Sequence, residues 1–261
     1  MLEARLQDGV VLKKVLDALK DLINEANFDC NETGLSLQAM DNAHVALVSL
    51  LIKAESFDPF RCDRSLSLGI SLTSLSKILK CSGPSDVLTL KASDQIDTLH
   101  IMFEGKDSER VSEFDLKLMD IDSEHLGIPD TEYDVCVNMC SLEFQRICRD
   151  LSVLGESVTI ECSKESIKFS ANGDIGSGAI QIKQGATIDE KKELTTTINV
   201  NTPVLATYSL KYLVNFTKAT GLSDVVNLSI SNELPIVVEY KVSELGYIRY
   251  FLAPKIGDDE E

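Results

Sequence analysis

The sequence predicts an α+β chain of two similar domains, each holding antiparallel sheets and two helices. Three observations predict it. A strand-turn-strand segment, 27–37, returns as 159–169, with Phe28 matching Ile160, Cys30 matching Cys162, Leu35 matching Ile167 and Leu37 matching Phe169. Four short segments carry apolar residues at the three-to-four-residue spacing of an amphipathic helix. Segments alternating apolar and polar residues outnumber the helical ones and follow one another across short glycine or asparagine turns, which is the grammar of antiparallel sheet.

The first helix is expected over about residues 9–21, where Val11, Val15, Leu19 and Leu22 share one face. The strand-turn-strand 27–37 follows. Leu72, Leu75, Ile78 and Leu79 place a second helix at 72–80. Val87–Ala92 and Leu99–Glu104 then alternate as strands, and the first domain is expected to span 1–117. Residues 118–134 are acidic, contain Gly127 and Pro129 and fit neither period, so they read as a connector. Its Leu126, Ile128 and Pro129 are apolar in an otherwise polar run, as residues lining a groove would be. The second domain, 135–257, opens with a helix at 141–154, where Arg146, Ile147, Leu151 and Leu154 match Lys14, Val15, Leu19 and Leu22. A fourth helix is expected at 209–220. After it Lys218–Val225 matches Lys80–Val87, and the strands Val225–Ile230 and Pro235–Tyr240 repeat the earlier hairpin. Two sets of matches in the same order imply a duplicated domain. Gly173, Gly176 and Gly178 lie between strands, so they read as a turn or close edge approach rather than a dinucleotide fingerprint. Residues 258–261 are expected to be a solvated acidic tail.

A length of 261 residues and a hydrophobic fraction of 44% suit two packed domains and exclude global disorder. The start lacks the apolar core of a signal peptide, and no run of 18 apolar residues is present. Seven cysteines without a C-x-x-C pair read as reduced core thiols of a cytosolic or nuclear protein. An enzyme is the rival class. The only histidines are His44, His100 and His125, and no G-x-S-x-G, phosphate loop or H-E-x-x-H occurs. Asp120, Asp122 and Glu124 are spaced like the start of a calcium loop, but His125 stands where that loop needs glycine, so no metal is expected. No cofactor is expected either.

The net charge is −17, yet the four helical segments hold nine basic residues against four acidic ones, Asp17, Asp21, Glu143 and Asp150. The basic set is Lys13, Lys14 and Lys20; Lys77 and Lys80; Arg146 and Arg149; Lys211 and Lys218. One helix lysine usually means only a solvated face. Four helices biased the same way on repeated units suggest a polyanion that meets one face of the protein.

The segment Arg61-Cys-Asp-Arg-Ser-Leu-Ser-Leu-Gly-Ile-Ser-Leu-Thr-Ser-Leu-Ser-Lys-Ile-Leu-Lys80 closely resembles a signature of the proliferating cell nuclear antigen family, the eukaryotic sliding clamps. Leu12–Leu16, Leu118–Asp120, Leu126–Pro129, Arg146–Leu151, Phe216–Thr220 and Leu252–Ile256 agree with it in order, over essentially the whole chain. The resemblance implies the DNA clamp fold: a homotrimeric ring of six similar domains, helices lining the hole and sheets outside. It implies a nuclear, non-catalytic processivity factor for replication and repair, and adds Arg5 to the DNA-facing set. Contacts to double-stranded DNA would be to phosphates and carry no sequence information. The trimer interface would involve Arg110, Phe114, Leu116, Leu151, Leu154, Ile175, Ser177, Gly178 and Ile180, pairing a strand around 110–116 with one around 175–183. Partners would be DNA polymerases, a clamp loader, nucleases, ligase and repair factors, each with a short glutamine, aliphatic and aromatic motif. Their site maps onto Met40, His44, Val45, Leu47, Leu126, Ile128, Pro129, Pro235, Phe251, Ala253, Pro254, Lys255 and Ile256. Phe114 and Phe251 stand where the family often has tyrosine. Lys164 matches a position modified by ubiquitin, and one extra residue is expected near 184–190. A peptide-binding scaffold that never meets DNA is the alternative, and the basic helices argue against it.

Overall fold

The computed structural model describes residues 1–93, 97–105, 109–122, 126–128, 131–189 and 194–255. The chain forms two compact units. One combines Met1–Asn42, Val48–Gly127 and Val242–Ile248; the other combines Ala43–Leu47, Ile128–Lys241 and the chain from Arg249.

In the first unit the elements run β1 (Leu2–Leu6), α1 (Val10–Leu19), β2 (Glu25–Asn31), β3 (Gly34–Met40), β4 (Ala46–Lys53), β5 (Phe60–Cys62), β6 (Leu66–Ser71), α2 (Leu72–Leu79), β7 (Val87–Ala92), β8 (Thr98–Glu104) and β9 (Val111–Lys117). One sheet has the order β5-β1-β7-β8-β9, and β4, β3, β2 and β6 lie side by side in another. The second unit runs β10 (Val135–Cys140), α3 (Ser141–Ser152), β11 (Ser157–Cys162), β12 (Ser166–Gly173), β13 (Gly176–Lys183), β14 (Thr187–Asp189), β15 (Leu194–Thr195), β16 (Thr197–Val200), β17 (Val204–Ser209), α4 (Leu210–Phe216), β18 (Val225–Ile230), β19 (Ile236–Val242) and β20 (Gly246–Leu252), of which Val242 and the first three residues of β20 are assigned to the first unit. Its sheets run β13-β12-β11-β17 and β16-β10-β18-β19, with a small β14–β15 hairpin. All the strand pairs whose register is resolved are antiparallel.

The repeat seen in the sequence is a repeat of register. Phe28 faces Leu37 and Cys30 faces Leu35 across β2 and β3, while Ile160 faces Phe169 and Cys162 faces Ile167 across β11 and β12. All eight side chains are buried. Likewise β1–β7–β8 has its counterpart in β10–β18–β19.

The helices form where the stripes predict, with Leu12, Val15, Leu16 and Leu19 buried on α1 and Leu72, Leu75 and Leu79 on α2, whereas Val11, Leu22 and Ile78, placed on the apolar faces by their spacing, are half-buried. Asp8 accepts the Val10 N–H at 3.0 Å at the start of α1, and the Ser71 hydroxyl caps α2 by accepting the Ser74 N–H. Three ends differ from expectation. α1 stops at Leu19 with Lys20 as its cap, α3 stops at Ser152 with Val153 as its cap, and α4 stops at Phe216, continuing as a 3-10 turn over Thr217–Leu222. Thr217, Thr220 and Gly221 are poor helix formers, and the Thr217 hydroxyl bonds back to the Val214 carbonyl at 2.8 Å. The Gln145 amide on α3 donates to the Thr217 carbonyl at 3.0 Å and fixes that turn.

The thiols also differ in part. Cys30, Cys140, Cys148 and Cys162 are buried, but Cys62 is half-buried and Cys81 and Cys136 are exposed; none of the seven forms a disulfide. Cys136 lies between the buried Val135 and Val137, so strand alternation turns it to solvent. Burial pushes the Cys30 and Cys162 thiols up to about 12 and raises Cys148 further.

Candidate nucleic-acid interface and partner site

Each unit sets two helices against each other, α1 with α2 and α3 with α4. Burying the apolar stripes leaves the basic residues on the opposite sides. Lys14, Lys77, Lys80, Arg146, Arg149, Lys211 and Lys218 are exposed, while Lys13 and Lys20 are half-exposed. Their partners divide them. Lys20 pairs with Asp17 at 2.5 Å. Arg146 and Arg149 share Asp150, at 3.5 and 3.1 Å. Lys218 donates to Asn215 at 2.9 Å. Arg5, on β1 rather than a helix, pairs with Glu104 at 3.1 Å. Among the described residues, Lys13, Lys14, Lys77, Lys80 and Lys211 have no carboxylate within ion-pair reach. Lys13, Lys14 and Lys77 lie on α1 and α2 and Lys80 caps α2, so four of these five belong to the helices of the first unit.

Of the residues expected at a trimer interface, Phe114 and Leu116 lie on β9 and Ser177, Gly178 and Ile180 on β13, two strands that end their sheets; Arg110 and Ile175 just precede these strands, Leu151 is on α3 and Leu154 follows it. Phe114 is half-buried and packs edge-on against Phe103, with ring centroids 5.7 Å apart. Arg110 is exposed just before β9, and Leu116 is buried. In the second unit Ile175 is 72% exposed, Ser177 is exposed and Ile180 is half-buried. Leu151 is already buried in its own unit and Leu154 is half-buried. A Cβ on Gly178 would lie 2.5 Å from the Leu154 side chain, so this glycine permits a close approach beneath the end of α3.

The expected partner-site residues lie in both units. In the first, Met40 is half-buried and Leu126 is 43% exposed. In the second, Val45 is 38% and Ile128 40% exposed; His44 and Pro235 are exposed, and Leu47 and Phe251 half-buried. His44 holds the turn after β3 with φ 55°. The exposed Ala253 donates its N–H to the Val45 carbonyl at 3.5 Å, and Pro254 is half-buried. Lys255 is tethered twice, by its N–H to the Thr207 carbonyl at 2.7 Å and its ammonium to the Ser157 hydroxyl at 2.5 Å. Pro129 and Ile256 lie outside the described residues, as do Glu124, His125 and the acidic tail. Lys164 is exposed in the turn between β11 and β12, where the Ser163 hydroxyl accepts the N–H groups of Glu165 and Ser166 at 3.3 Å.

The sequence reading passed over Asn27, Gln38 and Gly69, which fix the course of the connector through hydrogen bonds and a close approach. A side-chain amide on a strand is the only signal the sequence offers for Asn27 and Gln38, and a glycine within a strand the only one for Gly69. Among the described residues no group of three or more His, Cys, Asp or Glu side chains is placed to hold a metal, and no helix is long and apolar enough to cross a membrane.

Comparison with known proteins agrees with this geometry. Residues 1–125 match the family model described as "Proliferating cell nuclear antigen, N-terminal domain", and residues 127–255 the one described as "Proliferating cell nuclear antigen, C-terminal domain". A proliferating cell nuclear antigen from Chaetomium thermophilum is 54% identical over 260 residues, covering 100% of both chains. The duplicated α+β units, four short helices and antiparallel sheets are those of the DNA clamp fold, and the chain belongs to the proliferating cell nuclear antigen family.

Proposed function

We propose that this chain is a DNA sliding clamp that works as a homotrimer, encircling duplex DNA and tethering polymerases and repair factors without catalysis of its own. The observation that carries this reading is the set of five unpaired helix lysines in a protein of net charge −17. An acidic exterior repels DNA, so cations left uncompensated on paired helices indicate where phosphates run. Contacts of this kind bind weakly and without sequence preference, as sliding requires. Domains 1–117 and 135–257 joined by connector 118–134 supply six similar units per ring.

The ring closes in this proposal by pairing β9 of one copy with β13 of the next, with Phe114 and Ile180 among the buried contacts; exposed edge strands favour such pairing. The half-buried Met40 and the exposed Val45, Leu126 and Ile128, with Pro129, Pro235, Phe251 and Ala253–Ile256, take short partner segments whose aromatic residues act as anchors. His44 and Leu47 complete that set. Lys164, on an exposed turn, is the proposed ubiquitin acceptor, and the nucleus is the proposed location.

Light scattering combined with salt-dependent DNA retention tests the core of this reading. The expected mass is three times the 28.7 kDa chain, with retention falling steeply as salt rises and equal for unrelated DNA sequences. A monomer, or retention that depends on sequence, overturns it.

A further inference from the structure

The start of the connector crosses its sheet along a single cross-strand row. At the edge, the Met119 N–H donates to the Gly69 carbonyl of β6 at 2.8 Å, forming an antiparallel bridge. Asn27 of β2 sits opposite Gly69 in register, and its side-chain amide donates to the Ile121 carbonyl at 2.9 Å. Carried one step past the Phe28–Leu37 pair, the β2–β3 register sets Gln38 opposite Asn27. Gln38 Nε2 donates to the Leu126 carbonyl at 2.8 Å while its Oε1 accepts the Leu126 N–H at 3.0 Å. Three adjacent strands, about 4.8 Å apart, therefore offer in sequence a backbone edge, a single amide and a two-way amide. A carboxamide is one of the few side chains able to reproduce the paired donor and acceptor of a strand. The row also needs glycine at its outer end, because a Cβ on Gly69 would come within 2.0 Å of the Met119 carbonyl oxygen.

We infer that Gln38, seconded by Asn27, is a positioning residue for partner capture: it locks the connector at Leu126 so that this apolar side chain is presented before a partner arrives. The inference rests on the reading of Leu126 as part of the partner site. A segment that must be ordered at the moment of binding lowers the competent fraction of the protein, and apparent affinity falls in proportion. Gln38 removes that loss without touching the partner. Its effect therefore belongs in the association rate, whereas a lost direct contact belongs in the dissociation rate.

The test uses the full chain and a labelled peptide carrying glutamine, an aliphatic residue and two aromatics, followed by stopped flow. Gln38→Ala is expected to slow association about tenfold and leave dissociation within about twofold, with assembly mass and DNA retention unchanged. Amide exchange at Leu126 should accelerate in the same variant. Gln38→Glu keeps the acceptor and loses the donor, so its association rate should fall between the two. Asn27→Ala provides a second, independent variant and should slow association in the same direction. An unchanged association rate in Gln38→Ala overturns the inference, as does an effect confined to dissociation, which would make Gln38 a direct contact. If the wild-type chain fails to bind the peptide at all, the partner-site reading falls and takes this inference with it; a loss seen only in the variants leaves that reading standing.

Discussion

Burial decides which thiols can react. Cys81 and Cys136 are exposed, whereas Cys30, Cys140, Cys148 and Cys162 are enclosed. A thiol reagent applied at neutral pH should label the first two within minutes and the buried four only on unfolding; mass spectrometry of the labelled chain checks it. The buried thiols also set an alkaline limit. An unfolded cysteine ionises near about 8.5, while Cys30 and Cys162 hold their protons to about 12. Above about pH 9 the unfolded chain has lost protons that the folded chain retains. Stability is thus fully present below that pH and falls as pH rises towards 12, by up to about 1.4 kcal/mol per pH unit for each such thiol. Denaturant titrations from pH 8 to 11 measure this; Cys162→Ala should flatten the slope, and an unchanged slope would remove the thiol as its cause. Ile128 makes a separate residue-scale prediction. With 40% of its surface exposed it contributes little to packing, so Ile128→Ala should weaken the partner peptide several-fold and leave assembly mass unchanged. Equal peptide affinities would return Ile128 to the role of packing.

At the scale of elements, the sequence was most readable where the information is local. Phe28, Cys30, Leu35 and Leu37 could be assigned to one buried face because alternation is written within a few residues, and the second copy repeated it. The end of α4 was less readable: Thr217, Thr220 and Gly221 weaken the helix locally, but the Gln145 amide that holds the 3-10 turn reaches Thr217 from 72 residues away. Gln38 and Asn27 were illegible as connector holders, since their partners lie 88 and 94 residues off and a polar strand residue ordinarily meets only water. The exposed Leu126 and Ile128 were legible as apolar residues in a polar run, but only the family resemblance said what they would meet. Edge strand β9 offers a direct test. Removing the Phe114 ring costs about 1.5–3 kcal/mol of transfer free energy at a buried contact. In the proposed trimer three equivalent interfaces would be weakened together, so Phe114→Ala should yield folded monomers at micromolar concentration. Normal circular dichroism with an intact trimer by light scattering would show that the interface lies elsewhere.

For the whole molecule, charge is the informative quantity. Replacing Lys20, Lys77, Arg149 and Lys218 by alanine should weaken DNA retention without changing assembly mass. Each lost phosphate contact lowers the slope of log affinity against log salt by about 0.9. The substitutions should not act equally. Lys77 has no carboxylate partner among the described residues, whereas Lys20 pairs with Asp17 and Arg149 shares Asp150 with Arg146. Singly, Lys77→Ala should therefore reduce the slope more than Arg149→Ala, and equal reductions would mean that these ion pairs open at no cost when DNA arrives.

The two sheet-ending strands have a further consequence, for errors of assembly. Along β6 the outer edge is taken up by Met119, and Lys255 bonds to Thr207 on β17. β9 and β13 end their sheets with no such cover among the described residues. A newly made copy would thus expose two adhesive edges, and adhesive edges also pair with their own kind. Their charges discriminate. β9 carries Glu113 and Asp115 against a single Lys117, while β13 has no acid and ends on Lys183. Two β9 strands brought together would set carboxylates near carboxylates, a combination that destabilises cross-strand pairing. Unlike edges attract, so head-to-tail closure is favoured over dead-end dimers from the first encounter, before any apolar contact has formed.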